Sequence, residues 1–65
     1  MRDYSRTEIT EAIDEWILNE RNRRVLYRRL IDGITFEKLA EEFDMSVRQI
    51  KRIVYKGEDV IFRHI

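Results

Sequence analysis

Basic side chains are concentrated in one short stretch near the carboxyl end of the chain. Residues 46–56 contain Arg48, Lys51, Arg52 and Lys56 and no acidic residue. Such groups bind phosphate, and an arginine can also donate two hydrogen bonds to the edge of a guanine. A helix would place Arg48 and Arg52, four residues apart, on one face with Lys51 beside them. The pattern therefore indicates a helix that binds nucleic acid.

The charges of the whole chain cancel, but they are unevenly distributed. Thirteen basic and thirteen acidic residues give a formal net charge of zero. Residues 21–29 hold five arginines and no acid, whereas residues 1–20 and 30–45 each carry a net charge of −4. Clustered bases attract phosphate more than the total charge suggests. For the arginines at 21–29, phosphate binding and salt bridges to acidic neighbours both remain open.

Two apolar patterns with helical spacing occur here, one before the basic stretch and one within it. They comprise Phe36, Leu39, Ala40 and Phe43, then Val47, Ile50, Ile53 and Val54. Thr35 and Ser46 can cap the two helices, and Gln49 completes a capping box with Ser46. Asp44 occupies a turn position that needs positive φ, and small Ala40 lies where the helices would cross. We predict a helix-turn-helix over about residues 35–55.

The preceding residues predict two further helices, over about 6–18 and 20–31. Ser5 with Glu8 forms a capping box for the first, and Asn19 can cap the second. Their inward-facing residues are expected to be Ile9, Ala12, Ile13, Trp16, Ile17, Val25, Leu26 and Leu30, with Tyr27 or Ile31 alongside. Gly33 should end the second helix, and Gly57 the helix after Ser46. The expected fold is all-α: a compact, single-domain bundle (1–65) of about four helices.

An apolar tail follows Gly57 in this scheme. It contains Val60, Ile61, Phe62 and Ile65, and it either packs back on the first helix or pairs with a second chain. Because a helix-turn-helix this small offers few contacts, a homodimer that reads two half-sites is one prediction.

Catalytic, metal and membrane functions have little support in the sequence. There is no cysteine, and the single histidine, His64, has no partner at metal-ligand spacing and should face solvent. The neighbouring carboxylates Glu41 and Glu42 point in different directions on a helix and should be solvated. No apolar run approaches the ~18–20 residues of a membrane span. We therefore expect a non-enzymatic, cytoplasmic protein without cofactors.

A family resemblance follows from two adjoining segments. Residues 35–53 read T-F-E-K-L-A-E-E-F-D-M-S-V-R-Q-I-K-R-I, and residues 20–33 read E-R-N-R-R-V-L-Y-R-R-L-I-D-G. Together they resemble the helix-turn-helix in the fourth conserved region of bacterial sigma factors, with its preceding helix. The turn from Phe43 to Ser46 is closest to primary sigma factors. The resemblance spans about residues 19–56.

The resemblance implies sequence-preferring binding of double-stranded DNA in transcription regulation. The residues expected to face the major groove are Ser46, Val47, Arg48, Lys51, Arg52 and Tyr55. Those expected to hold phosphates are Thr35, Lys38 and Lys56, with some of Arg21–Arg29. The family often carries a polar or charged pair after the cap, but here Val47 offers only an apolar contact, for instance to a thymine methyl.

Two other functions remain open. One is an interaction module that contacts RNA polymerase or another regulator. The other is a DNA-targeting subunit of a recombinase or transposase.

Overall fold

The chain is an all-α bundle in a computed structural model that describes residues 4–65. Helix α1 spans Arg6–Trp16. Helix α2 spans Glu20–Leu26 and continues as a π-helical segment over Tyr27–Ile31. Helix α3 spans Phe36–Glu42, and helix α4 spans Val47–His64. The architecture of this described range agrees with the predicted fold class, and α3 and α4 form the helix-turn-helix.

A side-chain cap begins each α-helix where the sequence predicts one. The cap residues are Ser5, Asn19, Thr35 and Ser46. In the two capping boxes the amide of the cap residue also donates back to a side chain. Ser5 donates to Oε1 of Glu8 at 3.2 Å and Ser46 to Oε1 of Gln49 at 2.9 Å. These reciprocal bonds satisfy amides that a helix start otherwise leaves unpaired.

Two residues with positive φ form the turns on either side of α3. Gly33, with φ of 70°, ends the π-helical segment, and Asp44, with φ of 54°, lies in the turn before α4. Glycine adopts this region freely, and aspartate tolerates it better than most residues. Both turns occur where the sequence predicts them.

The apolar core is divided into two clusters, and α2 and α4 contribute to both. The N-terminal cluster consists of Ala12, Ile13, Ile17, Leu26 and Ile61. The helix-turn-helix cluster consists of Val25, Leu39, Ile50 and Val54. Consecutive residues of α2, Val25 and Leu26, thus serve different clusters. Helix α4 packs on α3 with its first half and on α1 with its second, which holds the basic stretch in place from both ends.

The π-helical segment contacts α1 through Tyr27. Its wider turn is closed by a hydrogen bond from the Asp32 amide to the Tyr27 carbonyl, at 3.2 Å. The Tyr27 ring packs on the N-terminal cluster, and its hydroxyl donates a hydrogen bond to Asp14. Burial and this hydrogen bond raise the pKa of Tyr27 to about 12. Of the two residues considered for this position, Tyr27 and Ile31, Tyr27 therefore faces α1.

Gly57 does not end α4, contrary to the prediction. The helix continues through this glycine to His64. An added Cβ would lie 2.6 and 2.7 Å from the two terminal methyl carbons of Leu26, which is fully buried. Gly57 therefore allows α4 and α2 to pack closely. From the sequence alone, a glycine required for such packing cannot be told apart from one that ends a helix.

The continued helix carries the apolar tail back onto α1. Ile61 is buried in the N-terminal cluster, and Val60, Phe62 and Ile65 pack against that cluster. The tail therefore packs back on the first helix, as one of the two predicted arrangements had it.

His64 is exposed to solvent, as expected. Its ring also stacks on Trp16, with centroids 3.8 Å apart and an angle of 8° between the planes. Trp16 remains 41% exposed beneath it.

Helix α1 ends at Trp16, two residues short of the predicted boundary, because Ile17 is extended, with φ of −103° and ψ of 108°.

Candidate nucleic-acid interface

The first turns of α4 present a basic face to solvent. Arg48, Lys51, Arg52 and Tyr55 are exposed, and Tyr55 is 57% exposed. On a helix these positions share one side, opposite buried Ile50 and Val54 of the helix-turn-helix cluster. We call these four exposed residues the recognition face. Within residues 4–65, none of its three basic groups forms an ion pair.

The two residues at the start of α4 are less available. Ser46 is exposed, but its hydroxyl accepts the Gln49 amide at 3.1 Å. Val47 is half-buried, so only part of its side chain can contact a ligand. The structure therefore places Ser46 and Val47 at the edge of the recognition face, with Arg48 as the first fully projecting side chain.

Phe36, the first residue of α3, contacts basic side chains from two other helical segments, the π-helical segment and α4. The Arg29 guanidinium carbon lies 4.2 Å from the centroid of the Phe36 ring, and Lys51 Nζ lies 5.7 Å from it. Tyr55 meets the same ring edge-on, with centroids 5.9 Å apart and an angle of 76°. Such contacts position cations over an aromatic face without neutralising them. Arg29 is also held by a hydrogen bond to the Ile34 carbonyl, at 3.0 Å.

Arg29 approaches the Phe36 ring that Lys51 and Tyr55 also contact, and the sequence did not single it out. It lies in a run of five arginines at 21–29, and the two possible roles of that run could not be assigned residue by residue. Arg29 lies in the π-helical segment, whose wider turn shifts the residues after Tyr27 relative to a regular helix.

Arg28 has a different, structural role. Its guanidinium donates to both Glu42 oxygens, at 2.8 and 2.7 Å, and to Asp32 at 2.9 Å. These bonds raise the pKa of Arg28, and the hydrogen bond from Arg28 holds the pKa of Glu42 below its usual value. Glu42 is exposed, as expected, and in addition it pairs α3 with the π-helical segment through Arg28.

The other arginines of the run also contact the chain itself. Arg24 pairs with Glu20 at 3.5 Å, Arg23 donates to the Ile17 carbonyl at 3.1 Å, and Arg21 donates to Asn22 at 3.3 Å. The Arg24–Glu20 pair is well exposed, so it holds Arg24 only weakly.

The remaining predicted phosphate contacts lie on two sides of the recognition face. Thr35 is exposed but accepts the Lys38 amide at 3.2 Å. Lys38 is exposed on α3 and lies close enough to Glu42 to lower its pKa. Lys56 is exposed one turn beyond Arg52, where both line a groove beside the connection from α1 to α2. The structure thus brings Lys51 and Tyr55 together at Phe36 and places Lys38 and Lys56 outside that contact.

Two other kinds of feature are absent from the described residues. Across residues 4–65, no group of three or more His, Cys, Asp or Glu side chains could hold a metal ion. The helices of the same range also lack the length and apolar character that crossing a membrane requires.

Comparison with known proteins gives one match. The family model described as Sigma-70, region 4 matches residues 17–58, which is 42 of the 65 residues. The matched range covers α2, α3, the turn and the exposed basic part of α4. Searches of curated proteins and of solved structures gave no match.

Proposed function

Because the chain belongs to the sigma-70 region 4 family of DNA-binding helix-turn-helix domains, we propose that it binds double-stranded DNA with sequence preference and acts in transcription regulation. The observation that supports this most directly is the recognition face. Arg48, Lys51 and Arg52 project from a capped helix, and no ion pair within residues 4–65 neutralises them.

Arg48 and Arg52 are the residues proposed to read bases. Arg48 lies in the first turn of α4, where helix-turn-helix proteins present side chains to base edges. Arg52 follows one turn later on the same side. A bidentate contact from arginine to guanine contributes about 1–3 kcal/mol of discrimination against other bases. Tyr55 extends this side, while half-buried Val47 can add only an apolar contact.

The phosphate contacts are proposed to flank these two arginines. Arg29 and Lys51 converge on Phe36 from different helices and could hold one stretch of backbone. Lys38 and Lys56, with the capped helix starts at Thr35 and Ser46, would extend the contact on either side. Phosphate contacts fix the orientation of a protein on the duplex without reading sequence.

Substitution of one arginine and one lysine tests these roles. Arg48→Ala should lower affinity for a selected duplex more than for a scrambled one, because it removes a base contact. Lys56→Ala should lower both affinities alike and reduce the salt slope by about one unit. The selected duplex would come from enrichment of random DNA on the wild-type protein. Affinities would be measured by fluorescence anisotropy at several salt concentrations.

Arg63→Ala is a matched control on the same helix. Arg63 pairs with Asp59 and lies about 22 Å along the helix axis from Arg48, since each residue rises 1.5 Å. It should leave both affinities unchanged. Equal losses on both duplexes for Arg48→Ala would contradict the base-reading role.

The competing function is a protein-interaction module, for example one that contacts RNA polymerase. Half-buried Val47 at the start of α4 and the zero net charge favour it. Binding driven by phosphate weakens steeply as salt rises, whereas an apolar protein interface responds little. If wild type binds every duplex equally and weakly, the interaction module is the better account. A recombinase-targeting subunit would instead bind a selected duplex but require a catalytic partner chain. Either DNA role places the protein in the compartment that holds the DNA, which for a sigma-like protein is the cytoplasm.

A further inference from the structure

An apolar groove lies beside the recognition face and has an exposed leucine at its edge. The groove, of about 490 Å³, runs between α4 and the connection from α1 to α2. Trp16, Leu18, Ile53 and Val60 form much of its apolar lining. Leu18 is 88% exposed although it is a large apolar residue. The apolar tail thus packs on the N-terminal cluster, whereas Leu18 at the edge of the groove stays uncovered.

Basic residues line the groove, and acidic residues lie next to it in the chain, on α1. Arg52 and Lys56 are exposed on the α4 side. On α1, Glu15 directly precedes Trp16 and Glu11 lies one turn earlier, and both are exposed. Within residues 4–65 none of these four groups forms an ion pair. One chain thus offers a leucine with acidic neighbours and, on the adjoining surface, an apolar groove with a basic rim.

We propose that a second copy of this chain occupies the groove in a two-fold dimer. In such a dimer each surface meets its own equivalent, so every contact occurs twice. Leu18 of each copy would enter the groove of the other, and Glu15 would approach Lys56 across the interface. The zero net charge of the chain means that long-range repulsion does not oppose this pairing.

This dimer differs from one that reads two half-sites on DNA. It covers Arg52 and Lys56, which the proposed function assigns to DNA, so dimer formation and DNA binding would exclude each other. That consequence rests on the proposed function, whereas the dimer itself does not. The groove would then act as a self-inhibitory surface that withholds the chain from DNA at high protein concentration.

Sedimentation of the whole chain without DNA tests the dimer. Wild type should show a concentration-dependent dimer, and Leu18→Asp should weaken it by about tenfold or more because a buried leucine is lost twice. Leu18 is almost fully exposed, so this change should leave the fold and its melting temperature intact. A wild type that stays monomeric at concentrations up to about 1 mM overturns the proposal.

A charge exchange distinguishes this arrangement from other dimers. Lys56→Glu and Glu15→Lys should each weaken the dimer by about threefold, as expected for exposed ion pairs, and the double variant should recover wild-type association. Glu37→Lys, an exposed charge reversal on α3, is the matched control and should have no effect. Failure of the double variant to recover overturns the proposed pairing.

DNA titration completes the test. Apparent DNA affinity of the wild type should fall at protein concentrations where the dimer forms, whereas Leu18→Asp should show no such fall. If the apparent DNA affinities of wild type and Leu18→Asp change alike at concentrations where wild type is dimeric, dimer formation and DNA binding do not exclude each other. If the dimer forms and neither protein binds DNA at any concentration, the proposed function fails while the dimer stands.

Discussion

Replacement of Gly57 by alanine tests whether close packing of α4 on α2 requires a glycine. The added Cβ would lie 2.6 and 2.7 Å from the terminal methyl carbons of Leu26 and 3.1 Å from its Cγ. Leu26 has no exposed surface and is packed in the N-terminal cluster, so its side chain has little room to move. Overpacking of this kind typically costs about 1–3 kcal/mol.

A second effect of the same substitution has the opposite sign. Gly57 lies inside α4, and alanine is favoured over glycine in a helix interior by about 1 kcal/mol. The net expectation for Gly57→Ala is a loss of up to about 2 kcal/mol in the free energy of unfolding, because the cost of overpacking exceeds the gain in helix propensity. Urea denaturation followed by circular dichroism would measure it.

A double-mutant cycle with Leu26→Ala separates the two effects. Without the leucine methyl groups the clash disappears, so Gly57→Ala in that background should stabilise by about 1 kcal/mol through helix propensity alone. Leu26→Ala itself should cost about 2–5 kcal/mol, so all variants would be compared in the same stabilising osmolyte.

Gly33→Ala is the control for this cycle. Gly33 has φ of +70°, and an added Cβ would meet nothing within 4 Å. Its cost should come from backbone strain, about 1–2 kcal/mol, and should be the same with and without Leu26. If Gly57→Ala destabilises equally in both backgrounds, contact with Leu26 is not the reason for the glycine.

Two further predictions concern the helix-turn-helix and its neighbour. Ala40→Phe should cost about 1–3 kcal/mol in the free energy of unfolding, because half-buried Ala40 packs against the helix-turn-helix cluster and a large ring would overpack it. An unchanged urea midpoint would refute the close crossing of α3 and α4 at Ala40. Because Arg28 lowers the pKa of Glu42 in the folded state, ionised Glu42 stabilises the fold above pH about 4.5, and that contribution is lost as pH falls further. Glu42→Gln should therefore flatten the decline in melting temperature between about pH 6 and pH 3, and parallel wild-type and mutant curves would contradict this.

Local signals explain why much of the fold could be predicted from the sequence. A cap residue accepts a hydrogen bond from an amide within the next turn, and its capping-box partner lies only three positions later. Ser5, Asn19 and Ser46 therefore mark helix starts without tertiary information. Asp44 likewise marks a turn by its own backbone preference. The helix-turn-helix follows because its cap spacing and apolar period agree.

Features that depend on distant residues could not be predicted in this way. Gly57 is required by Leu26, which lies in another helix, whereas a glycine in sequence more often suggests a helix end. The arginine run could not be divided into Arg28, which pairs with Glu42, and Arg29, which approaches Phe36. That division depends on the rotation that a π-helical turn introduces, and the apolar period does not reveal it.

The two-cluster core bears on how the recognition face is held. Residues 47–56 of α4 would form little more than a short helix on α3, and isolated helices of this length are marginal in water. Continuation through Gly57 brings Ile61 into the N-terminal cluster, so α1 supports the same helix that carries Arg48 and Arg52. The uncovered groove lies where this support meets the basic stretch. A second copy bound there would therefore contact α4 at Arg52 and Lys56. Arg48, at the other end of the basic stretch, would stay outside this contact. Substitutions at Leu18 and Lys56 should therefore change both dimer formation and DNA binding, whereas substitution of Arg48 should change DNA binding alone.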